Sequence, residues 1–442
     1  MKEKDIAIRA VKKLQERGFE AYFAGGFVRD MLLGIDSKDI DIVTNAPYES
    51  ISKLFDKVIE VGKKFNVCIV VEEGVQMEVA SFRKEGEYKD NRRPEKVFEA
   101  NAQEDAQRRD FTVNGLFFNP INEKLLDFVG GHEDIKKRVI KFIGDPEKRI
   151  NEDHLRLLRA IRFKITLGFQ YDKDTFEAVR KNAALIKGVS TERIRDEIIK
   201  IMASKNCAQG LIELSESQIL KYIMPEIEQL KGVRQPESFH KEGDVFKHTY
   251  LALRALSPDA PAFLAIAVLL HDIGKPATFM PKEVTGDRIR FSGHAAKSAE
   301  IAQEILKRLK FPNFEIDTIC WMIEKHMIVY LVDKMRPAKR RRMLTDPLFT
   351  DLMALVKADV LGRLPLDDEY LARVENLTQE SQKARGEMKD KDKELVTGDD
   401  LIAGGLEPGP KFKEILEEIH DKQLTGELSS KEKALEYARS IK

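Results

Sequence analysis

Two acidic residues at alternate positions, Asp39 and Asp41, have the clearest chemical potential in this chain. Side chains on a β-strand point to opposite faces in turn, so we expect both carboxylates on the same face. Paired carboxylates suit Mg²⁺ ions that hold a nucleotide triphosphate. An isolated Asp-x-Asp pair would more often be two solvated acids on an edge strand, so the surrounding motifs decide between these interpretations.

A glycine pair and an arginine lie a short distance before the two acids. Gly25 and Gly26 follow the apolar run Ala21–Ala24. Because glycine has no Cβ atom, a turn at this point can bring backbone N–H groups close to phosphate oxygens. Arg29 is placed to add a charge-assisted contact to the same phosphates. The G-x-G-x-x-G spacing is missing, which disfavours a dinucleotide site.

A further polar group runs from residue 108 to residue 115 with the sequence RRDFTVNG. Its arginines, among them Arg109, suit phosphate, and Asn114 suits a ribose hydroxyl. Asp110 is either part of that nucleotide site or only an anchor for an arginine. Glu78, on an earlier predicted strand, is a possible third carboxylate for the metal ions.

Arginine recurs at every third position in the run EDHLRLLRAIRF, at Arg156, Arg159 and Arg162. Residues three apart lie on one face of a helix. A stripe of three cations on one helix face is hard to explain without phosphates or an acidic partner.

Histidines and acids in the second half of the chain form another candidate group. His248, the pair His271-Asp272 and Asp359 are separated along predicted helices. Neutral imidazoles and carboxylates so arranged can converge on a divalent metal within a helical bundle. A single His-Asp pair would usually be a hydrogen-bonded core feature, so the interpretation depends on the whole set.

The elements that must position these residues change type along the chain. Helical periodicity covers residues 5–17, and residues 84–96 are almost entirely charged or polar, which indicates a mobile loop. From about Pro146 the pattern is helical almost to the end. We therefore predict an α+β fold, with a mixed α/β head followed by all-α domains. Strands are predicted at residues 21–24, 40–43, 67–71, 75–82, 111–118 and 125–128.

Composition sets broad limits on function. The chain has 442 residues, too many for one core, and its 75 basic residues balance its 75 acidic ones. No overall field draws it to nucleic acid, so RNA binding must come from local patches. The charged start lacks the apolar core of a signal peptide, and the most apolar helical run is too short to span a bilayer. Three distant cysteines indicate neither a disulfide framework nor a zinc ribbon. We expect a cytoplasmic enzyme without a membrane partner.

Taken together, G-G-x-V-R-D, D-x-D and R-R-D-F-T-x-N resemble the motifs of the class II tRNA nucleotidyltransferase and bacterial poly(A) polymerase family. Glu152–Arg156 is similar to the nucleotide-selecting E-D-x-x-R motif of that family, and Glu192–Glu197 to its E-R-x-x-x-E motif. The pattern H…HD…D across residues 240–365 resembles the HD phosphohydrolase superfamily. A family member with a fused HD domain is therefore indicated.

The resemblance implies a domain plan and a set of site residues. The plan is a nucleotidyltransferase head (residues 1–145), a helical neck and body (146–235), an HD domain (236–375) and an RNA-binding helical tail (376–442). Asp39 and Asp41 would hold two Mg²⁺ ions, with Arg109 as a third catalytic residue. The HD site would take a divalent metal of unknown identity, and His294 and His326 a second metal or a substrate phosphate. The implied nucleotide-binding residues are Gly25, Gly26, Arg29, Arg109, Asp110, Asn114, Asp153, Arg156, Arg159 and Arg162; the implied HD ligands are His248, His271, Asp272 and Asp359.

The motif pair Asp153 and Arg156 offers a way to choose the base. CTP and ATP each present an exocyclic amine donor beside a ring-nitrogen acceptor, which a carboxylate and a guanidinium complement. UTP and GTP present the reverse pattern. If both residues lie three apart on one helix, their side chains share a face.

The implied partners are the tRNA 3′ end, CTP and ATP, with the oligomeric state left open. Residues 82–94 resemble the family's flexible loop, which argues against an enzyme restricted to CC addition. Full CCA addition, addition of the terminal A alone and poly(A) synthesis remain alternatives. A phosphohydrolase with a nucleotide-binding head, or an RNA-binding scaffold, would be a different class. The basic run Lys334–Arg342 is equally a surface for an RNA backbone or a solvated helix start.

Overall fold

The computed structural model describes residues 2–37, 39–62, 67–86, 96–386, 395–406, 409, 411–424 and 427–440. The chain divides into two compact units, Met1–Pro225 and Glu226–Lys442. The boundary between them lies close to the predicted one after residue 235. The finer division into four domains stays a prediction.

A seven-stranded sheet forms the frame of the first unit, with strand order β3-β4-β5-β2-β1-β8-β9. All neighbouring strands are antiparallel except β2 and β5, which run parallel. Its core includes the fully buried Phe23, Ile42, Met77 and Phe117. The strands of this unit are β1 (Ala21–Ala24), β2 (Ile40–Thr44), β3 (Val58–Gly62), β4 (Val67–Glu72), β5 (Val75–Ser81), β6 (Arg83–Glu85), β7 (Val97–Glu99), β8 (Leu116–Asn119), β9 (Lys124–Asp127), β10 (Val139–Ile140) and β11 (Gln170–Tyr171).

Helices flank this sheet and make up the rest of the first unit. The first helix begins at Lys2 and ends at Glu16, slightly ahead of the predicted span, before Gly18 with its positive φ. The helices are α1 (Lys2–Glu16), α2 (Gly25–Leu32), α3 (Tyr48–Leu54), α4 (Ala102–Arg108), α5 (Gly131–Lys137), α6 (Pro146–Glu152), α7 (Arg156–Leu167), α8 (Lys173–Lys181), α9 (Thr191–Met202), α10 (Cys207–Glu216), α11 (Leu220–Ile223) and, at the boundary, α12 (Pro225–Glu228).

Three local predictions for the first unit are corrected. Gly25 and Gly26 do not form a free turn, because helix α2 begins at Gly25 directly after β1. The predicted strand 111–118 is interrupted by a short 3₁₀ turn, Thr112–Asn114, and only Leu116–Asn119 pairs as a strand. The polar segment 84–96 is not all loop, because β6 and β7 at its ends pair as a hairpin; residues 87–95 lie outside the described part.

The regular elements described in the second unit are helices, as predicted, apart from an isolated antiparallel bridge between Met280 and Arg290. Its basic run becomes helix α18, which begins at Pro337. There Arg340 pairs with Glu380 and Arg342 with Asp421, so these two arginines serve packing within the unit rather than a free basic surface. None of the described helices is long and apolar enough to cross a membrane. The helices are α13 (Val245–Arg254), α14 (Ala262–Leu270), α15 (Lys282–Thr285), α16 (His294–Arg308), α17 (Asn313–Lys325), α18 (Pro337–Thr345), α19 (Phe349–Leu361), α20 (Asp368–Gly386), α21 (Gly398–Ala403), α22 (Lys411–Leu424) and α23 (Lys431–Ser440).

Candidate functional site

A cavity of about 700 Å³ in the first unit brings most of the predicted head residues together. Two predicted residues, Asp39 and Arg162, are not among its lining. Arg108 of the predicted RRDFTVNG run lines it as well, and so do Arg83 and Glu85, which were not predicted as site residues. The predicted residues on its walls are Gly25, Gly26, Arg29, Asp41, Glu78, Arg109, Asp110, Asn114, Asp153, Arg156 and Arg159.

Carboxylates gather at the strand end of this cavity. Asp41 on β2 is the register partner of Glu78 on the parallel strand β5. Asp39 is exposed just before β2, and the buried Ile40 between the two acids fits the predicted alternation. Burial, followed by the charges of Glu78 and Asp39, raises the pKa of Asp41 to about 6, although Arg109 opposes the shift. Neighbouring carboxylates repel one another when all are ionised, and a cation between them removes this cost, so the group fits a divalent metal.

The pKa of Asp41 predicts how stability changes with pH. Its pKa in the unfolded chain lies near the ordinary 3.8, below the folded value of about 6. The folded state therefore binds more protons between these values, and the stabilisation linked to Asp41 is lost as pH rises from 4 to 6. In EDTA, the unfolding midpoint of Asp41→Asn should rise relative to the parent protein across this interval. Equal pH dependence of both proteins in a thermal-melt series would contradict the assignment. Added Mg²⁺ should stabilise the parent protein above pH 6.

A network of hydrogen bonds fixes the polar wall of the cavity. Arg29 donates from Nη1 to Asn114 Oδ1 at 2.7 Å, and Asn114 donates to Asp110 at 3.1 Å. Asp110 also accepts from Arg159 Nε at 2.7 Å. Burial opposes ionisation of Asp110, but Arg159 and the hydrogen bond from Asn114 hold its pKa well below the usual range. Asp110 therefore anchors an arginine and an asparagine of the wall, as one of the two sequence interpretations proposed.

Removing the charge of Asp110 should weaken the first unit. In Asp110→Asn, the Arg159 guanidinium loses its ionised partner, and the free energy of unfolding should fall by about 1–3 kcal/mol. The loss is kept below that of a fully buried pair because the Arg159 side chain is 30% exposed. Urea unfolding monitored by circular dichroism measures the change. Glu147→Gln, which breaks the exposed pair of Glu147 with Lys181, is the matched control and should cost less than about 1 kcal/mol. Equal losses in the two variants would contradict the anchoring role.

Arg109 lies against the start of helix α2. A Cβ atom on Gly25 would come within 2.8 Å of Arg109 Nη1, and Gly25 has a φ of +62°. The backbone conformation therefore favours glycine at this position, and any larger residue would also push the Arg109 guanidinium aside. Arg109 Nη1 also donates to the backbone oxygen of Asn114 at 3.3 Å. The arginine is held beside Asp41, where it can meet the phosphates of a bound nucleotide.

The pair that the sequence predicts to select the base is arranged differently from the prediction. Asp153 and Arg156 do not share one helix face, because α6 ends at Glu152 and α7 begins at Arg156. Asp153 lies in the break, where its Oδ1 accepts the Leu155 backbone N–H at 3.0 Å. This local hydrogen bond competes with the helical hydrogen bonds, and the helix breaks at Asp153. The periodicity of the sequence, which predicted one helix through this point, was therefore wrong about the position of Asp153. Both side chains nevertheless line the cavity.

Each side chain of this pair is held by protein groups. Arg193 on α9 binds Asp153 in a bidentate pair, with N–O distances of 3.1 and 2.8 Å. Arg156 donates to the backbone oxygen of Arg149 at 2.7 Å and to Glu152 at 2.7 Å. Arg193 belongs to the E-R-x-x-x-E motif noted in the sequence, but its contact with Asp153, forty residues earlier, was not predicted. The pair is oriented before any ligand arrives.

The predicted arginine stripe has acidic partners within the chain. Arg156 pairs with Glu152, Arg159 with Asp110, and Arg162 with Glu197 on α9 at 3.0 Å. Arg162 also stacks over the Phe163 ring and lies outside the cavity lining. The second of the two explanations, an acidic partner, therefore accounts for Arg162; Arg156 and Arg159 combine such partners with a place on the cavity wall.

Four histidines converge in the second unit with one ring nitrogen each left for a ligand. Nδ1 of His271, His294 and His326 lies 2.7–2.9 Å from the backbone oxygen three residues before it. Nδ1 of His248 lies 3.1 Å from Glu242 Oε1. Because these nitrogens must donate, Nε2 is the atom that each ring, when neutral, offers to a metal. Burial opposes protonation of His271, but Asp272 and Asp359 raise its pKa to about 10, so a bound metal would take the place of that proton.

These Nε2 atoms meet the predicted acids. His248 Nε2 lies 3.0 Å from Asp359, and His271 Nε2 lies 3.2 Å from Asp272. His294 Nε2 lies 3.5 Å from Asp272 and 3.1 Å from His326 Nε2. Burial and the neighbouring His271 lower the pKa of His326 to about 3, so it is neutral. Two facing imidazole acceptors beside ionised acids fit a cation. The described residues contain three groups that could hold one: His248, His271, Asp359; Asp272, His294, His326; and His240, Glu242, His248, which shares His248 with the first.

A cavity of about 830 Å³ lies over this cluster, with cations on its wall. Lys275 contacts Asp272 at 2.6 Å, and Arg363 pairs with Asp359. Glu242, which the sequence did not single out, is fully buried and also binds the His240 ring at 2.6 Å. Its histidine partners are near in sequence, His240 two residues before it and His248 six residues after it, but a single glutamate in a polar turn has no periodicity that would mark it as buried.

Three family models match the chain in order. Residues 21–141 match the poly A polymerase head domain, residues 168–231 the probable RNA and SrmB-binding site of polymerase A, and residues 245–361 the HD domain. Similar relatives include the CCA-adding enzyme of Ligilactobacillus salivarius strain UCC118, 41% identical over 217 residues, which are 49% of this chain and 54% of that protein. Another is the CCA-adding enzyme of Geobacillus thermodenitrificans strain NG80-2, 39% identical over 56% of this chain and 60% of that protein. The chain spans about half the length of the curated relatives it matches.

Solved structures resemble the chain over nearly its whole length. The Bacillus stearothermophilus CCA-adding enzyme in complex with CTP aligns with a TM-score of 0.71 at 25% identity, covering 99% of this chain and 98% of that one. The Thermotoga maritima CCA-adding enzyme complexed with tRNA aligns with a TM-score of 0.56 at 21% identity, over 99% and 95%, and shares the fold. The resemblance inferred from the motifs, and the predicted α+β fold class with its HD domain, are confirmed.

Proposed function

We propose that this chain, built from a poly A polymerase head, an RNA-binding segment and an HD domain, is a metal-dependent nucleotidyltransferase. It would add CCA, or its terminal A, to tRNA 3′ ends from CTP and ATP. One observation carries this: a single cavity joins the acids Asp41 and Glu78 to a wall of arginines and to the pair Asp153 and Arg156. Relatives named CCA-adding enzymes, and a similar structure holding CTP, support it. Such a role implies a cytoplasmic location.

The acids would hold the metal. Asp39 and Asp41, with Glu78 as a third carboxylate, are the proposed ligands of two Mg²⁺ ions, and the raised pKa of Asp41 supports this. When bound, such ions acidify the attacking hydroxyl and neutralise charge on the triphosphate. Arg109 lowers the pKa of Asp41, so the arginine and the acids already balance part of each other's charge.

The triphosphate would lie along the start of α2. Gly25 and Gly26 leave room for phosphate oxygens beside the helix N-terminus, and Arg29 and Arg109 supply cations. Asn114 holds both arginines: its side-chain oxygen accepts from Arg29, and its backbone oxygen accepts from Arg109. Fixed donors stabilise the charge that develops on the leaving pyrophosphate without reorganising.

Asp153 and Arg156 would select the base of the incoming nucleotide. The Asp153 carboxylate accepts from an exocyclic amine, and the Arg156 guanidinium donates to the adjacent ring nitrogen. Their partners Arg193 and Glu152 keep both groups in place. UTP or GTP would leave these groups unpaired, at about 1–3 kcal/mol per group.

The product is tested with tRNA lacking its 3′ end, or ending in C or CC, incubated with CTP and ATP together. Sequencing of the products distinguishes the alternatives. Full CCA addition completes all three substrates and then stops. An A-adding enzyme extends only tRNA ending in CC, and a poly(A) polymerase adds long A tails to every substrate. No extension of any substrate would overturn the proposal.

A second activity is proposed for the HD domain: hydrolysis of phosphoesters, such as 2′,3′-cyclic phosphates at RNA ends. The facing Nε2 atoms of His294 and His326, 3.1 Å apart beside Asp272, support a divalent metal there. Lys275 and Arg363 on the cavity wall suit a phosphate. Release of the 2′- or 3′-monophosphate from a 2′,3′-cyclic nucleotide, measured with Mg²⁺, Mn²⁺, Ni²⁺ or Co²⁺, tests it. No hydrolysis with any of these metals would leave the head as the only catalytic site proposed.

A further inference from the structure

An acid outside the cavity lining holds two of the cavity's arginines. Asp105 on α4 is fully buried. Its Oδ2 accepts from Nε and Nη2 of Arg109 at 3.2 and 3.1 Å, and its Oδ1 accepts from Arg108 Nε at 2.8 Å. Burial opposes its ionisation, but Arg109 and Arg108 lower the pKa below the ordinary value. A buried carboxylate with two guanidinium partners is ionised and fixes the orientation of both.

Only one edge of the Arg109 guanidinium is held by Asp105. Nη1 points the other way, to the Asn114 backbone oxygen and to the start of α2 at Gly25. The plane stacks over Phe117 at 5.1 Å. Since a guanidinium is rigid and planar, fixing one edge fixes the direction of the donors on the other.

The same carboxylate is joined to the β6–β7 hairpin. Asp105 Oδ1 accepts the Arg83 backbone N–H at 3.2 Å, at the start of β6. Arg108, its second guanidinium partner, donates from Nη1 to Glu85 at 3.2 Å, at the end of β6. Both ends of that strand are therefore tied to the carboxylate that holds Arg109.

We propose that Asp105 is a positioning residue for nucleotide addition. It aims Arg109 at the triphosphate, and its contacts with Arg108 and the Arg83 backbone keep the carboxylate itself in place. The inference rests on the proposed nucleotidyl transfer, because Arg109 is the residue through which Asp105 acts. Asp105 itself touches neither the nucleotide nor the metal.

A double-mutant cycle tests this, with AMP addition to tRNA ending in CC as the reaction. Asp105→Asn keeps the side-chain size, removes the charge and should lower kcat/KM on the order of 10²-fold, mainly in kcat. Arg109→Gln should lower it at least as much. Because Asp105 acts through Arg109, the double variant should be no worse than Arg109→Gln, within about 2-fold. Losses that multiply would overturn the proposal.

The matched control is Glu104→Gln, the neighbouring residue on α4. Glu104 pairs with Lys84 of the same hairpin at 3.2 Å, its side chain is 35% exposed, and it contacts neither Arg108 nor Arg109 among the described contacts. It should keep kcat/KM within about 2-fold of the parent protein. A loss equal to that of Asp105→Asn would assign the effect to the hairpin alone and overturn the role of Asp105.

A second variant keeps the test decisive if Asp105→Asn does not fold. Arg109→Lys retains a cation near the phosphates but cannot make the two-nitrogen contact with Asp105. It should lose nearly as much kcat as Arg109→Gln, whereas near-parent activity would overturn the proposal. If the parent protein adds no nucleotide to any tRNA end, the proposed function is wrong. If the parent protein adds AMP but the variants do not show the expected losses, the proposed function stands and only the role of Asp105 is wrong.

Discussion

Asp41→Asn should abolish nucleotide incorporation, with a loss on the order of 10³-fold or more in kcat. The substitution keeps the shape of the side chain but removes one of the charges that would hold the metal beside Glu78. Incorporation of labelled AMP and CMP into tRNA measures the effect. Hydrolysis of a 2′,3′-cyclic nucleotide by the same variant should be unchanged, because the HD cluster consists of other residues.

Asp36→Asn is the matched control for that variant. Asp36 is an exposed acid a few residues earlier in the chain and lies outside the cavity lining. It should keep parent activity within about 2-fold. Incorporation by Asp41→Asn at the rate of the Asp36→Asn control would contradict the assignment of the head acids as metal ligands.

The opposite pattern is expected for His271→Asn. His271 contributes one of the Nε2 atoms of the HD cluster, and its ring is fully buried beside Asp272. Loss of a ligand should lower metal binding and reduce phosphoester hydrolysis on the order of 10²-fold or more. Isothermal titration with Mn²⁺ and the cyclic-nucleotide assay measure the two effects. Incorporation of AMP into tRNA should be unchanged.

His132→Asn serves as the control, since His132 is partly exposed and belongs to none of the described metal-binding groups. Hydrolysis should stay at the parent level in this variant. If His271→Asn hydrolyses cyclic phosphate as well as His132→Asn does, the HD cluster is a structural feature and the second proposed activity is wrong.

Motifs with short internal spacing could be predicted from the sequence. The strand carrying Asp41 and the helical second unit follow from periodicity within a few residues. The edge strand Val58–Gly62 was missed; its pairing with β4 carries an irregularity between Glu60 and Gly62. An irregularity of this kind weakens the alternation of apolar and polar residues by which a strand is predicted.

Contacts between distant segments could not be read in this way. The sequence showed a cation stripe at Arg159 and Arg162, but its acidic partners come from a loop and from another helix, Asp110 and Glu197. Helical periodicity runs through residues 146–167, yet the helix breaks at Asp153, whose side chain binds the backbone two residues on. The local sequence pattern shows which residue types are present, but which residues pair with each other is decided by the tertiary fold.

The central claim is that Asp153 and Arg156 select the base of a nucleoside triphosphate whose phosphates lie beside the carboxylates of Asp41 and Glu78. Its most direct test is incorporation from each of the four nucleoside triphosphates singly, into tRNA lacking its end and into tRNA ending in CC. We predict CMP or AMP incorporation, with UMP and GMP slower by a factor on the order of 10². Incorporation of UMP or GMP as fast as CMP and AMP would contradict the account.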